Sequence, residues 1–264
     1  MTWRDFRPTR YRKYLIPTLA VTLLSLGAAR VCGVSLQKLQ EGLVTSGLFI
    51  ARMFPPDWQA FPEMLEPAFD SVVIAFLGTA FGTLMAMTFA LLAANTIAAP
   101  WIRNTSRFLI GLERSLPELV ILLLLVAAFG LGATPAILTL AIGCVGMMGK
   151  LLADVIEEID PVTIESMQSV GANKMQVIIF GVWPQILPSL ISFALFRFEV
   201  NLRLSVVLGA VGAGGIGYEL DYAFNTLAYH RALTALLVIL VLVFATERLS
   251  RGLREKIKVG DPLK

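Results

Sequence analysis

The sequence predicts an all-α integral membrane protein with about six transmembrane helices. Charged residues make up 16% of the chain and hydrophobic ones 56%, with a mean hydropathy of +0.75, whereas a soluble domain carries roughly 25% charge. Apolar runs near the about 20 residues that cross a bilayer recur along the chain. The basic residues gather at alternate ends of those runs, as the positive-inside rule requires. The net charge of +3 is small and gives no reason to expect a nucleic-acid partner.

The first element is a basic segment, with Arg4, Arg7, Arg10, Arg12 and Lys13 against Asp5. The apolar run 15–34 that follows reads as a first membrane helix. It is close to a full span, and a small-x-small cleavage site of a secretory signal is unconvincing. Arg30, near its far end, can snorkel to the interface. In 35–67, Leu36, Leu39, Leu43, Ile50 and Phe54 recur at helical spacing, with Lys38, Glu41 and Arg52 between them. That pattern predicts an amphipathic helix on the outer membrane surface. It is either a docking surface for an external partner or a helix that packs on the bundle. Pro55, Pro56, Pro62 and Pro67 then predict an extended link, which closes a first region, 1–67.

A core region, 68–250, carries the other spans. In 70–94, Gly78 and Gly82 form a G-x-x-x-G that lets another helix approach closely. The loop after Pro100 holds Arg103 and Arg107 and no acid, so it belongs in the cytoplasm. The third span, 108–129, contains Glu113, Arg114, Pro117 and Glu118. A short turn, 130–135, predicts an antiparallel fourth span, 136–156, rich in glycine at Gly143, Gly146 and Gly149. The fifth, 189–211, is unusually polar, with Arg197, Glu199, Asn201 and Arg203. Residues 218–230 read as a polar outer loop. The last span, 232–245, runs on into Arg248, Arg251, Arg254, Lys256 and Lys258, and 251–264 is a basic tail. Both termini fall in the cytoplasm by this count.

Charges within spans are expensive, about 2.5–3.5 kcal/mol each at mid-bilayer on insertion scales. Arg114, Glu118, Arg197, Glu199 and Arg203 must therefore face the bundle, pair, or lie at an interface, and Arg114, Glu118, Glu199 and Arg203, with the uncharged Asn201, are the candidates for a translocation path or gate. Arg114 and Glu118 are four apart, as are Glu199 and Arg203, so each pair would share a helix face. They either fix packing or line a polar path. Glu113 and Arg197 fall on other faces. Gly212 to Gly217 reads as G-x-G-x-x-G through Gly212, Gly214, Gly215 and Gly217, but it follows a membrane helix and not a strand. A buried tight turn is expected there, and not a dinucleotide site. Cys32 and Cys144 lie far apart in apolar runs and read as free thiols. With one histidine, His230, and no ligand spacing, no metal site is expected.

The stretch 157–188 stands out between two apolar segments. It offers helix-compatible residues at 165–168, a break at Gly171, a second helix start at 172–180, and restrictions at Pro184 and Pro188. Glu165-Ser166-Met167, then Gly171, then Pro184 resembles the EAA loop of ABC importer membrane subunits, in which Glu-Ala-Ala precedes a Gly and a Pro follows thirteen residues beyond it. The chain departs at Ser166 and Met167, where the pattern has Ala, and at Gly181-Val182-Trp183-Pro184, where it has Ile-x-Leu-Pro. The run 181–188, Arg114 to Glu118, Arg197 to Arg203 and the glycine turn are similar to the phosphonate/phosphite branch.

The resemblance implies a type I ABC importer permease architecture in the bacterial inner membrane. It implies that Glu165, Ser166, Met167, Gly171, Ala172 and Pro184 form the loop coupled to a separate ATPase subunit. That partner would bind ATP and Mg, since this chain has no G-x-x-x-x-G-K-[ST]. A periplasmic binding protein, a second copy of the chain and membrane lipid are the other implied partners, and the implied cargo is phosphonate, phosphite or hypophosphite. An excess of cations in the path would suit such an anion. The alternatives are a permease for another small solute and an ion-gradient-driven transporter. The latter would predict an internal repeat, which the sequence does not display. A membrane enzyme lacks a catalytic constellation.

Overall fold

In the computed structural model, residues 8–95 and 98–259 are described, with side chains for 14–95 and 98–257. Arg4, Arg7 and the last residues of the basic tail lie outside the described residues. Among those described there is no strand. The helices are α1 (Pro8–Val31), α2 (Leu36–Met53), α3 (Phe61–Ala93), α4 (Pro100–Ser115), α5 (Glu118–Phe129), α6 (Ala133–Glu157), α7 (Pro161–Ser169), α8 (Lys174–Gln176), α9 (Trp183–Leu208), α10 (Ile216–Asn225) and α11 (Tyr229–Val259). Two π-helical segments, Val177–Val182 and Gly209–Ala213, bracket α9. The chain divides after Phe54 into two compact units.

In the first unit, α1 holds the first candidate span, Tyr14–Val31, whose apolar side chains are exposed as a lipid-facing helix requires. Ser35 caps α2 by accepting from Lys38 N at 3.2 Å. Leu36, Leu39, Leu43 and Ile50 are exposed and share one face of α2, which is the amphipathic helix expected.

In the second unit, α3 and α6 form the central pair. A Cβ at Gly78 would lie 2.6 Å from Leu140 Cβ, and one at Gly82 would lie 2.8 Å from the Ala141 carbonyl oxygen. The G-x-x-x-G therefore does what its spacing predicts, bringing two backbones together. α9 packs on both. One buried cluster joins Ala86, Met148, Leu152, Ile156, Ile164, Val182 and Ile186. A second joins Met64, Ala68, Ile216, Ala235 and Val238.

Four expectations are corrected. The third span is not one helix. Pro117 has no N–H and holds Leu116 extended (φ −97, ψ 128), so α4 ends at Ser115 and α5 starts at Glu118. Five helices among the described residues are long and apolar enough to cross, and α5, with 12 residues, is a shorter sixth apolar helix. The link around Pro62 and Pro67 is helical: Pro62 sits in the first turn of α3, where a missing N–H costs nothing, and Pro67 lies inside the helix. Most of 218–230 is α10, whose Ile216, Gly217 and Ala223 are buried on one face. Its polar residues mark the exposed face of a helix and not a loop. α11 is also longer than the span expected, at 31 residues, or about 46 Å at 1.5 Å rise per residue.

Candidate functional site

The stretch at 157–188 is a helix-turn-helix fused to the bundle. Asp160 caps α7, accepting from Val162 N at 2.9 Å, and Pro161 occupies the first turn. α7 ends at Gly171, whose φ of +85 is the left-handed conformation that favours glycine. A Cβ there would meet nothing within 4 Å, so the backbone and not the space demands glycine. Asn173 then starts the next helix with a capping box. Its side chain accepts from Gln176 N at 2.9 Å, and its own N–H donates to Gln176 Oε1 at 2.8 Å. α8 runs through the first π-helical segment into α9, with Pro184 in the first turn of α9.

Ile164 is buried in the same cluster as Leu152 and Ile186, with Met167 and Ala172 packed against it. The opposite face shows Glu165 and Ser166, both exposed, flanked by exposed Val162 and Val170. The knob thus has a buried side welded to α6 and α9 and an outer side that mixes apolar and polar groups. The two departures from the EAA pattern meet in space. A Cβ on Gly181 would lie 2.8 Å from Met167 Sδ, so the long thioether covers the spot a larger residue at 181 would fill. Met167 is half-buried, so Met167→Ala alone is expected to open a partial void and cost about 1 kcal/mol. Gly181→Ala alone should strain the contact. The double variant should recover part of both losses, read as a positive coupling in thermal melts of the detergent-purified chain.

The intramembrane charges pair differently from the i,i+4 expectation. Arg114 and Glu118 are on separate helices because of the break at Pro117. Glu118 instead accepts from Arg197 Nη2 on α9 at 2.7 Å, with Arg197 buried. Glu199, buried, pairs with Arg254 on α11 at 2.7 Å, and Arg203 is exposed. Asn201 is fully buried and donates to Thr79 Oγ1 at 2.9 Å and to Cys144 Sγ at 3.5 Å. Arg197 Nε and Asn201 Oδ1 have no hydrogen-bond partner among the described residues.

Sequence reasoning missed Arg197, Arg254, Thr79 and Cys144 as partners, and the signal that could have found the first was the glycine row of α6. Side chains three apart share a face, and Gly143, Gly146 and Gly149 each leave a notch. A Cβ at Gly143 would lie 2.5 Å from Arg197 Nη2 and 2.7 Å from Glu118 Oε1. One at Gly146 would collide with the Glu113 carboxylate, and one at Gly149 would lie 3.3 Å from Ile110 Cδ1. Gly143 and Gly146 therefore admit charged side chains of α4, α5 and α9 to the face of α6, and Gly149 admits Ile110.

The glycine turn packs closely at its two ends, Gly209 and Gly217, while Gly212, Gly214 and Gly215 between them are partly exposed. Gly212, Gly214 and Gly215 have φ of +97, +85 and +73. A Cβ on Gly217 would run into the Val206 carbonyl, and one on Gly209 would lie 3.0 Å from Gly217 Cα. Ile216 N donates to Ser71 Oγ at 3.0 Å, and Ser205 Oγ donates to the Ser71 carbonyl at 3.2 Å, tying α10 and α9 to α3.

This arrangement of helices and knob has known counterparts. The family of binding-protein-dependent transport system inner membrane components matches residues 86–259, from α3 to the end of α11. The chain belongs to that family. This inner membrane component is similar to the phosphite transport system permease protein PtxC of Stutzerimonas stutzeri, with 36% identity over 221 residues, 83% of this chain and 80% of the relative. It is also similar to the phosphate-import permease protein PhnE of Mycolicibacterium smegmatis, with 38% identity over 213 residues, 80% of this chain and 40% of that one. Its fold matches a permease chain of the MetNI methionine ABC transporter in an inward-facing conformation. The TM-score is 0.67 at 20% identity, covering 76% of this component and 99% of that chain. Its architecture is accordingly that of a type I ABC importer permease, a multi-pass protein of the bacterial inner membrane.

Proposed function

We propose that the chain is the membrane-spanning subunit of an ATP-driven importer for a phosphorus oxyanion, phosphonate, phosphite or a close relative such as hypophosphite. The observation that carries this reading is the phosphite permease likeness across most of the chain, joined to an exposed knob built where the EAA pattern falls. In this reading α7 docks in a groove of a separate ATPase subunit, which binds ATP and Mg. Glu165 and Ser166 face that groove, with Val162 and Val170 as apolar flanks. Gly171, Ala172, Met167 and Pro184 set the shape behind them. A periplasmic binding protein delivers the anion to the opposite end, a second copy of the chain completes the pathway, and lipid surrounds both. Both termini then lie in the cytoplasm with the knob.

The knob is fit for transmitting force because its buried side belongs to the core cluster of α6 and α9. Closure of the ATPase dimer would move α7 and, with it, both helices. Glu118, Glu199 and Asn201 serve in this reading as braces between helices, since each is engaged by a partner on another helix. Arg114 and Arg203, both exposed, are the cations left to face an anion.

ATP hydrolysis by the assembled complex with its binding protein tests this. Phosphite, phosphonate, hypophosphite and phosphate are offered in turn. Stimulation by at least one is expected, and it should be lost in Glu165→Arg and Gly171→Pro with membrane insertion intact. A tagged chain that never retains an ATPase subunit when expressed with its neighbours would overturn the reading. Uptake that collapses with the proton gradient would favour an ion-driven transporter instead.

A further inference from the structure

A second cationic feature lies apart from the buried Glu118–Arg197 pair. At the α7 end of the second unit, a cavity of about 160 Å³ opens between the end of α3, the middle of α4 and the last turns of α6. Its lining includes Arg107, Arg114 and Lys150 against one carboxylate, Asp154. With Glu157 ion-paired to Arg107 and Asp154 to Lys150, the net excess is one cation, Arg114, beside a space several times the ≈ 30 Å³ that one water takes in the liquid, enough for one tetrahedral oxyanion.

The cations are held in position. Arg107 Nε donates to the Ala93 carbonyl at 3.0 Å and its Nη2 to Glu157 Oε1 at 2.5 Å. Its guanidinium is thus oriented while other N–H groups stay available. Arg114 lies two helical turns further along α4, on the same face as Arg107. Gly111, between them, contributes no side chain to the lining, which keeps the space open. The stem of Arg114 rests against α6, where a Cβ at Gly146 would lie 2.7 Å from its Cγ. Arg114 makes no hydrogen bond or ion pair within 4.0 Å among the described residues. Lys150 is loosely engaged, 3.4 Å from Asp154.

We propose that this cavity is a seat for a phosphate-class anion, bound by Arg114 and Lys150 with Arg107 as the fixed wall. Planar guanidinium forks and an ammonium are the groups that recognise tetrahedral oxyanions. The anion is either free in solution or the phosphodiester of an anionic lipid headgroup, and both present the same oxygens. That the seat faces the cytoplasm rests on the orientation proposed above; its chemistry does not.

The test uses the full chain in phosphatidylcholine nanodiscs. In one arm, inorganic phosphate is titrated by calorimetry. In the other, phosphatidylglycerol is mixed into the discs and the lipid retained by the protein is counted by native mass spectrometry. The wild type should bind in at least one arm. Arg114→Gln and Lys150→Gln, which keep the Cβ and Cγ of each stem and remove only the charged end, should each weaken that binding about tenfold, the effect of one charge-assisted hydrogen bond. Binding of phosphate alone assigns the seat to a free anion, and retention of phosphatidylglycerol alone assigns it to lipid. No binding in either arm, or binding that both variants leave unchanged, overturns the proposal. Such a failure would leave the importer reading standing, because ATPase stimulation tests that separately.

Discussion

Arg197→Met is expected to destabilise the folded chain by about 3–5 kcal/mol, the cost of leaving one member of a buried ion pair without its partner. Arg197 is 5% exposed at its side chain and Glu118 23%. Removing the guanidinium strands the Glu118 carboxylate in the notch at Gly143, where a hydrophobic substitute offers it nothing. The partial exposure of Glu118 places the loss toward the lower end of that range. Glu118→Gln should cost less, because an amide still accepts from Arg197. The double variant Glu118→Gln with Arg197→Met should recover much of the loss, since it buries no unpaired charge. Melting of the purified proteins in detergent reads all three. If Arg197→Met melts like the wild type, the pair is not bearing on stability, and Arg197 would join the candidate path cations.

Gly217→Ala should abolish recovery of folded protein. Its Cβ would occupy the position of the Val206 carbonyl, a backbone group at the end of α9 that no rotamer change can move. Overpacking against side chains costs about 1–3 kcal/mol; here the backbone itself must part. That would break the Ile216 to Ser71 and Ser205 to Ser71 hydrogen bonds that tie α9, α10 and α3. Gly214→Ala makes the informative comparison. Nothing lies within 4 Å of its Cβ, but its φ of +85 and ψ of −166 belong to a region essentially confined to glycine, so the cost is that backbone strain alone, about 1–3 kcal/mol. Gly214→Ala should give a monodisperse peak in size exclusion with a lower melting temperature, and Gly217→Ala should give none. A normal peak for Gly217→Ala would show that α9 and α10 are further apart than described.

Local signals were read well from the sequence because they act over a few residues. Gly171 breaks one helix, the residues from 172 start a second, and Gly78 with Gly82 marks a close approach. All of these are chemistry of neighbours in the chain. The pairings within the bundle were not legible, because no short pattern links Asn201 to Thr79, 122 positions away, or Arg197 to Glu118, 79 away. Spacing four on a continuous helix was the only rule to hand, and it put Arg114 with Glu118. The information against it was present in Pro117, but the apolar content of 108–129 outweighed the proline. In 218–230 polarity likewise outweighed the helical spacing of Leu220, Ala223 and Phe224. The glycines of α6 were visible, but what fills their notches depends on tertiary packing.

The pairings of α9 bear on how the protein is made. As this helix leaves the ribosome it carries Arg197, Glu199 and Asn201, and each charge at a helix centre costs about 2.5–3.5 kcal/mol for translocon insertion. Chain order lightens that burden. Thr79, Glu118 and Cys144, the groups that receive Arg197 and Asn201, have all been synthesised before α9 emerges and can already stand in the bilayer. Glu199 alone must wait, because its counter-ion, Arg254, lies near the end of α11. The charge pairing of α9 is therefore completed only with the last helix.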